Sequence, residues 1–407
     1  MLSIGRYTNR LHLRASCLEA TLEGVLVTSD VVARKAFGAS QTALVLLTMA
    51  PAVANGLAVF VAALLRSVER RRLFLGAGVF GRLGMLLVAF AVPPSLLPIF
   101  VIAILMYALA QTVTIPALNA IFQANYSYRT RGRLFSRAAT VAATVTAACS
   151  VGAGFLLDHH PGAYRLLYPA AGVIAFGGCL IWGRIRVRRM RGAAVPLAPA
   201  AGQGDWLLGP GWFRRILELL RRHRRFRDFE VGYFLYGVGF MMLQPVFARF
   251  FVDDLGLGYG QAAAVKGAAF YLAYIVALPP MGRLLDRIGI PLLTAACFAN
   301  LTLFALALTQ VRSFPAAMAC HAYLGACMAG VSLTWNLGPP YFARNRDSSR
   351  YMSVHVSLVG LRALLGHPLG GLIASFHGPR ATFAAASVMF LLGALAMLRV
   401  ARQPEEA

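Results

Sequence analysis

Apolar residues run along this chain in long stretches broken by short polar clusters. A helix crossing the ~30 Å hydrocarbon core of a bilayer needs ~20 mostly apolar residues. Stretches of that length lie at 15–34, 42–65, 73–92, 96–121, 138–157 and 163–183, then at 231–252, 261–281, 290–309, 313–341, 353–376 and 380–398. The pattern predicts twelve membrane-spanning helices. The ~10-residue alternation that marks the strands of a membrane barrel is absent from the sequence. The expected fold class is an all-α polytopic membrane protein.

Composition agrees. Hydrophobic residues make up 58% of the 407 residues and charged residues 13%, against ~45–50% and ~25% in soluble chains. A soluble enzyme could not bury this much apolar surface. The net charge of +24 suggests nucleic acid, but its placement argues otherwise. Counted with the N-terminus in the cytoplasm, the inside segments hold 30 of the 39 Lys and Arg residues. The outside segments hold seven (Arg34, Lys35, Arg165, Arg249, Lys266, Arg312 and Arg380), and Arg82 and Arg362 remain within spans. This is the positive-inside asymmetry. It implies a cell (inner) membrane protein with both termini cytoplasmic and no nucleic-acid partner. Met1 to Arg14 has no apolar core of a cleavable signal peptide. Cys17, Cys149, Cys179, Cys297, Cys320 and Cys327 lie in apolar stretches with no CxxC, so neither disulfides nor a metal is expected. No P-loop, catalytic triad or metal cluster is visible, so no cofactor and no enzymatic activity is expected.

An internal repeat organises the spans. At one offset of 217, Arg66 falls on Arg283, Glu69 on Asp286, Arg70 on Arg287, Asn119 on Asn336, Arg129 on Arg346, Arg133 on Arg350 and Ser136 on Ser353. Each half therefore holds six spans, and an even number makes the repeats parallel. The expected domains are an N-terminal bundle (1–183), a central cytoplasmic loop (184–230) and a C-terminal bundle (231–407).

The loop after the eighth span reads Gly282, Asp286, Arg287, Gly289 in a G-x-x-x-D-R-x-G spacing. With twelve spans, a six-plus-six repeat and a long basic central loop, the chain resembles the major facilitator superfamily. The copy after the second span is eroded, with Leu65, Glu69 and Arg72 at three of the motif positions. The resemblance implies a secondary active transporter of a small solute that works by alternating access, possible proton coupling included, and acts as a monomer. It also implies that Glu69, Arg70, Arg133, Gly282, Asp286, Arg287, Gly289 and Arg350 form cytoplasmic gating contacts between the halves. Physically, a carboxylate at a helix end can sit against a neighbouring helix N-terminus and pair with an arginine. Two departures from the superfamily stand out. Span 4 carries no arginine, offering Gln111, Thr112, Thr114 and Asn119, and a Gly-His-Pro-Leu-Gly-Gly string (366–371) lies in span 11, where it suits close helix packing. They leave open a second class, a transport-inactive relative that senses a ligand or scaffolds a partner.

Charges within spans are costly and mark function by default. Glu19, Glu23, Asp30 and Arg34 share one face of span 1. Glu19 is expected near the cytoplasmic end in solvent, and Asp30 and Arg34 can pair at i,i+4. Glu23, two turns in, is read either as a proton carrier or as half of a structural ion pair. Arg82 and Arg362 lie about nine residues from the cytoplasmic end, ~13 Å at 1.5 Å per residue. Each needs an acid or an anionic ligand: Glu23 for Arg82, and substrate or an acid elsewhere for Arg362. The presumed cavity adds Gln111, Asn119, Gln244, His321, Trp335 and Asn336, with Glu230, Tyr233 and Tyr236 beside them. Glu230 can also cap a helix start.

In the central loop, residues 192–211 read as a flexible linker rich in Gly, Ala and Pro. From Trp212 to Phe226, apolar residues at helical spacing alternate with arginines, predicting a basic amphipathic helix on an anionic lipid leaflet.

Overall fold

The computed structural model describes residues 4–64, 68–126, 128–187, 211–343 and 348–404. All regular secondary structure among them is helical. Leu65 to Ser67 of the first loop motif, the 192–210 linker and the side chains of Arg129, Arg133, Arg344 and Arg346 lie outside the described residues.

The first half contains α1 (Ile4–Leu26), α2 (Ser29–Phe37), α3 (Gln41–Leu64), α4 (Arg70–Ala77), α5 (Leu97–Asn125), α6 (Tyr128–His159) and α7 (Tyr164–Gly183). After α8 (Trp212–Arg222) come α9 (Arg224–Arg249), α10 (Tyr259–Ala263), α11 (Phe270–Ile288), α12 (Ile290–Gln310), α13 (Phe314–Ala343) and α14 (Ser348–Arg402). Among the described residues, nine stretches are long and apolar enough to cross a membrane. One of these, Arg350–Arg402, holds two spans joined at Gly378, whose φ of 81° breaks the helix. The broken pair α1–α2 and the apolar α3 complete twelve. Large apolar side chains such as Leu166, Val276 and Phe376 stand more than 70% exposed on the outside, as expected of surfaces facing hydrocarbon rather than water.

Several elements differ from the periodicity reading, each for a local reason. Span 1 is broken rather than continuous. A turn at Val27–Thr28 separates α1 from α2 and puts Asp30 in the first turn of α2, where its Oδ1 accepts the Val31 N–H at 2.9 Å. Carboxylates are favoured at such a helix N-terminus. Span 3 continues α4 through a π-helical turn, Gly78–Arg82, and a 3-10 stretch, Leu83–Phe90. Span 8 passes from α10 into a π-helical stretch, Ala264–Ala269, before α11. Such insertions re-aim the side chains they carry, and these two carry Arg82 and Lys266. The amphipathic helix of the central loop ends at Arg222, not 226, because His223 leaves helical geometry (φ −114°, ψ 83°) and α9 begins at once. Gly289 closes α11 and opens α12 at φ 77°, a left-handed conformation that favours glycine and explains the last residue of the motif.

Within the halves, α1 packs on α6 and α7, α9 on α14, and α11 on α13. Two seams join the halves: α3 against α14, and α6 against α10 and the π stretch after it. Gly366 and Gly370 of the Gly-His-Pro-Leu-Gly-Gly string lie against the α9 backbone at Val238 and Met242, with no room for a Cβ. Their role is the close packing expected of them. On the α3–α14 seam a Cβ placed on Gly56 would sit 2.8 Å from the Cα of Gly360, so the two backbones touch at mid-depth.

Candidate functional site

Between the halves lies a cavity of about 570 Å³. Spans 1, 2 and 4 supply one wall with Glu23 and Asp30, Thr48 and Asn55, and Tyr107 and Gln111. Spans 7, 8 and 10 supply the other with Phe240, Gln244 and Phe247, then Lys266, Phe270 and Tyr271, then His321. The space is concave, largely apolar and shared by both repeats, with a few polar groups converging on it. That is the make-up of a small-molecule site.

The charges on and behind its walls fall into three groups. Asp30 and Lys266 form the first, an ion pair across the halves with Nζ donating to Oδ1 at 2.6 Å. The π-helical stretch aims Lys266 at it. The second group stands behind the first wall. Arg82, fully buried, donates through Nε to Glu19 Oε1 at 3.0 Å and through Nη2 to Oε2 at 2.9 Å. Nη2 also donates to Gln111 Oε1 at 2.9 Å and Nη1 to Thr114 Oγ1 at 3.4 Å. The guanidinium lies 5.2 Å from the centre of the Tyr107 ring and 6.0 Å from that of Trp182. Gln111 in turn donates to the Tyr107 hydroxyl at 2.8 Å, so it joins the buried pair to the cavity wall. Glu23 stands alone in the third. It is exposed to the cavity, and its carboxylate makes no hydrogen bond or ion pair with any described residue.

A further buried cluster sits wholly within the second half and off the cavity wall. Glu230 bonds His355 Nδ1 at 2.7 Å and accepts from Arg362 Nη2 at 3.4 Å. The guanidinium lies 5.5 Å from the Trp335 ring centre and the His355 ring 3.9 Å from it.

Glu23, Asp30, Gln111, Gln244 and His321 of the sequence-derived site therefore meet at the cavity, whereas Arg82, Asn119, Trp335, Asn336 and Arg362 do not line it. Several pairings differ from expectation. Glu19 is buried rather than solvated, because α1 is helical from Ile4 and Glu19 lies well inside that helix against Arg82. The partner of Arg82 is thus Glu19 and not Glu23. Arg362 meets an acid from α9, Glu230, which lies seven residues into that helix and does not cap it. Asp30 and Arg34, both on α2, do not pair with each other, because each is held by a charge from the other half, Lys266 and Asp253. Asn119 and Asn336, equivalent in the repeat, are both exposed, and Asn336 donates to its own helix at Ser332 O. His321 is buried with Nδ1 3.2 Å from the Ala317 carbonyl.

Lys266 is a residue the sequence reading placed with outside charges, and Tyr107 and Asn55 escaped it altogether. The i,i+4 spacing of Tyr107 and Gln111 in an otherwise apolar span was the available signal. At the loop motifs, Glu69 pairs with the exposed Arg72 in the first turn of α4 at 3.4 Å, and Arg70 donates to Ile185 O at 3.1 Å. Asp286 and Arg287 are exposed and bond no described residue.

At the end of the molecule opposite the basic loops, polar contacts join the halves. Arg34 holds Asp253, with Nη2 donating to Oδ2 at 2.6 Å and Nε at 3.1 Å. Lys35 donates to Leu257 O at 3.3 Å, and Gln41 to Pro245 O at 2.9 Å. Asp158, at the end of α6, accepts the N–H groups of Tyr259 and Gly260 at 2.6 and 2.8 Å. The arrangement expected of Glu69 and Asp286, a carboxylate against a helix N-terminus in the other half, is thus realised by Asp158 at the opposite end.

Residues 229–407 match a family model described as the Major Facilitator Superfamily. No curated protein sequence matches the chain. Among solved structures, the nucleoside transporter NupG is similar over 97% of this chain and 100% of its own, with a TM-score of 0.70 at 13% identity. A mutant of it covers 96% and 99% at TM-score 0.71 and 12% identity. The human organic anion transporter MFSD10 (TETRAN) covers 97% and 99% at TM-score 0.66 and 14% identity. By sequence the C-terminal half is therefore similar to the Major Facilitator Superfamily, and the chain as a whole is a multi-pass membrane protein with the twelve-helix, two-repeat fold of these solved transporters.

Proposed function

We propose that this protein is a secondary active transporter that carries a small solute through the central cavity by alternating access and couples the movement to protons at Glu23. The bodies that rock are residues 1–183 and 231–407, joined by 184–230, with both termini in the cytoplasm. The observation that carries the reading is the state of Glu23. Among the described carboxylates buried in or facing the bundle, Glu19, Asp30 and Glu230 each hold a cation, while Glu23 faces the shared cavity without one. A carboxylate kept ionised in a low-dielectric site with no partner is costly, so a proton or a solute is the natural complement. Tyr107 and Tyr271 line the cavity with it, and the Asp30–Lys266 pair lies on the same wall.

The test is Glu23→Gln in proteoliposomes. Uptake driven by an imposed pH gradient is lost, while exchange of solute across the membrane at equal pH persists. Loss of both activities, or of neither, refutes the assignment of the proton to Glu23.

A further inference from the structure

The signs of the charges around the cavity go further than a generic solute. The wall carries two carboxylates and one ammonium, and the ammonium of Lys266 is already held by Asp30 at 2.6 Å. Arg82 stands behind Gln111 with Glu19 in its grasp, and Arg362 is buried in the second half against Glu230. An anion entering this space finds no free cation among the described residues of its wall. With Glu23 ionised, the wall is instead one negative charge in excess. Around that charge stand aromatic rings from both halves, Tyr107 on one side and Phe240, Phe270 and Tyr271 on the other. Faces of aromatic rings attract cations, most strongly where water is thin. The polar groups that remain, Ser29, Thr48, the amides of Asn55, Gln111 and Gln244, and His321, carry no carboxylate or ammonium.

We propose that the cavity binds a lipophilic organic cation, its positive charge set against Glu23 and its apolar body against the aromatic rings. This rests on the cavity being the transport site. The volume of about 570 Å³ lies within the range of pockets that enclose a drug-sized molecule. Phosphonium, quaternary ammonium and protonated tertiary amines share the required chemistry, a charge shielded by hydrocarbon that sheds its water at little cost.

The experiment uses two probes of one shape and opposite sign, tetraphenylphosphonium and tetraphenylborate, with the purified full-length chain in detergent. Labelled tetraphenylphosphonium binds saturably at one site and is not displaced by tetraphenylborate beyond its effect on empty micelles. Glu23→Gln weakens binding by at least about tenfold, the loss of one charge contact in a partly desolvated site. Glu23→Asp keeps most of it. Asn55→Lys, which adds a second cation to the wall and leaves Glu23 in place, weakens it as well. A normal melting temperature in each variant shows that the fold is kept. Equal competition by tetraphenylborate, or wild-type affinity in Glu23→Gln, overturns the proposal. Flux in vesicles separates it from the reading beneath it. Carriage of neutral or anionic solutes indifferent to Glu23→Gln overturns the cation assignment and leaves a carrier. Cation binding that needs Glu23 without any flux supports the site and removes the carrier.

Discussion

The buried pair of Arg82 and Glu19 permits a stability prediction with a definite sign pattern. Replace Glu19 with Leu. The guanidinium, 0% exposed, then loses a two-pronged carboxylate contact at 2.9 and 3.0 Å and keeps the Gln111 amide oxygen and the Thr114 hydroxyl. Removing one partner of a buried ion pair leaves an uncompensated charge at a cost of ~3–5 kcal/mol, whereas replacing both partners by apolar residues of similar volume is often close to neutral. Glu19→Leu alone is therefore expected to lower stability by about 3–5 kcal/mol, and Glu19→Leu with Arg82→Met to recover most of it. The molecule carries its own reporters. Cys179, Cys297 and Cys327 are free and buried, so a thiol-reactive fluorogenic maleimide follows unfolding in detergent as temperature rises. On the scale of soluble chains, ~2 °C per kcal/mol, the single variant melts roughly 6–10 °C lower. The reasoning is refuted if Glu19→Leu melts with the wild type, or if the double variant loses the sum of the two single losses.

Three further outcomes are expected. Asp158→Ala removes the acceptor for the Tyr259 and Gly260 N–H groups. The bonds are half-buried and the loss is ~1 kcal/mol, so a cysteine placed at Thr48 on the cavity wall reacts about fivefold faster with an impermeant maleimide from that end; an unchanged rate means the contact does not hold the end shut. His12, at the basic end outside the spans, is stacked 4.0 Å from the Phe122 ring centre with Nδ1 3.1 Å from the Tyr126 hydroxyl. Burial holds its imidazole down at about 4 against an ordinary 6.5. The unfolded chain then takes up the proton first as pH falls, so stability is full above pH 6.5, declines by about 3 kcal/mol between 6.5 and 4, and levels below that. His12→Gln flattens that decline in melting curves across pH, and an unaltered slope would assign it to other groups. On α8, Phe213 and Leu217 are exposed beside Arg214 and Arg221 while Ile216 is buried against the protein. At ~1 kcal/mol per arginine near an anionic surface, Arg214→Gln with Arg221→Gln lowers the affinity of the full-length protein for phosphatidylglycerol in nanodiscs by about thirtyfold. Equal retention by the variant and the wild type contradicts an anionic-lipid surface there.

Hydropathy made the spans legible because the requirement of crossing hydrocarbon acts on every residue of a segment at once. It could not show the break at Val27–Thr28 or the π-helical turns at Arg82 and Lys266, each of which shifts a few side chains without altering mean apolarity. Partners were less legible than positions. Arg82 and Arg362 announced themselves as buried charges, but their acids, Glu19 and Glu230, come from other helices, and which acid faces which arginine depends on helix rotation. Glu23 was singled out from depth alone, and of the two carboxylates on the cavity wall it is the one that pairs with no described cation. Lys266 was obscured because five residues from a span's start is ambiguous between loop and wall until the backbone decides it. The loop motifs drew attention to one end of the molecule, while Asp158, with no motif around it, makes the corresponding contact at the other.

The backbone contact of Gly56 with Gly360 also fixes a lever arm. Gly56 lies fifteen residues along α3 from Gln41, or ~22 Å at 1.5 Å per residue. Where two bare backbones touch, no side chains interlock to resist a turn, so the contact can serve as a fulcrum. A tilt of ~10° about it swings the Gln41 end of α3 by ~4 Å. That displacement exceeds the reach of the Gln41, Asp158 and Arg34 bonds spanning the gap. The same tilt hardly alters the distance between the two glycines, so a rotation small enough to leave this one contact intact is large enough to unfasten the far end.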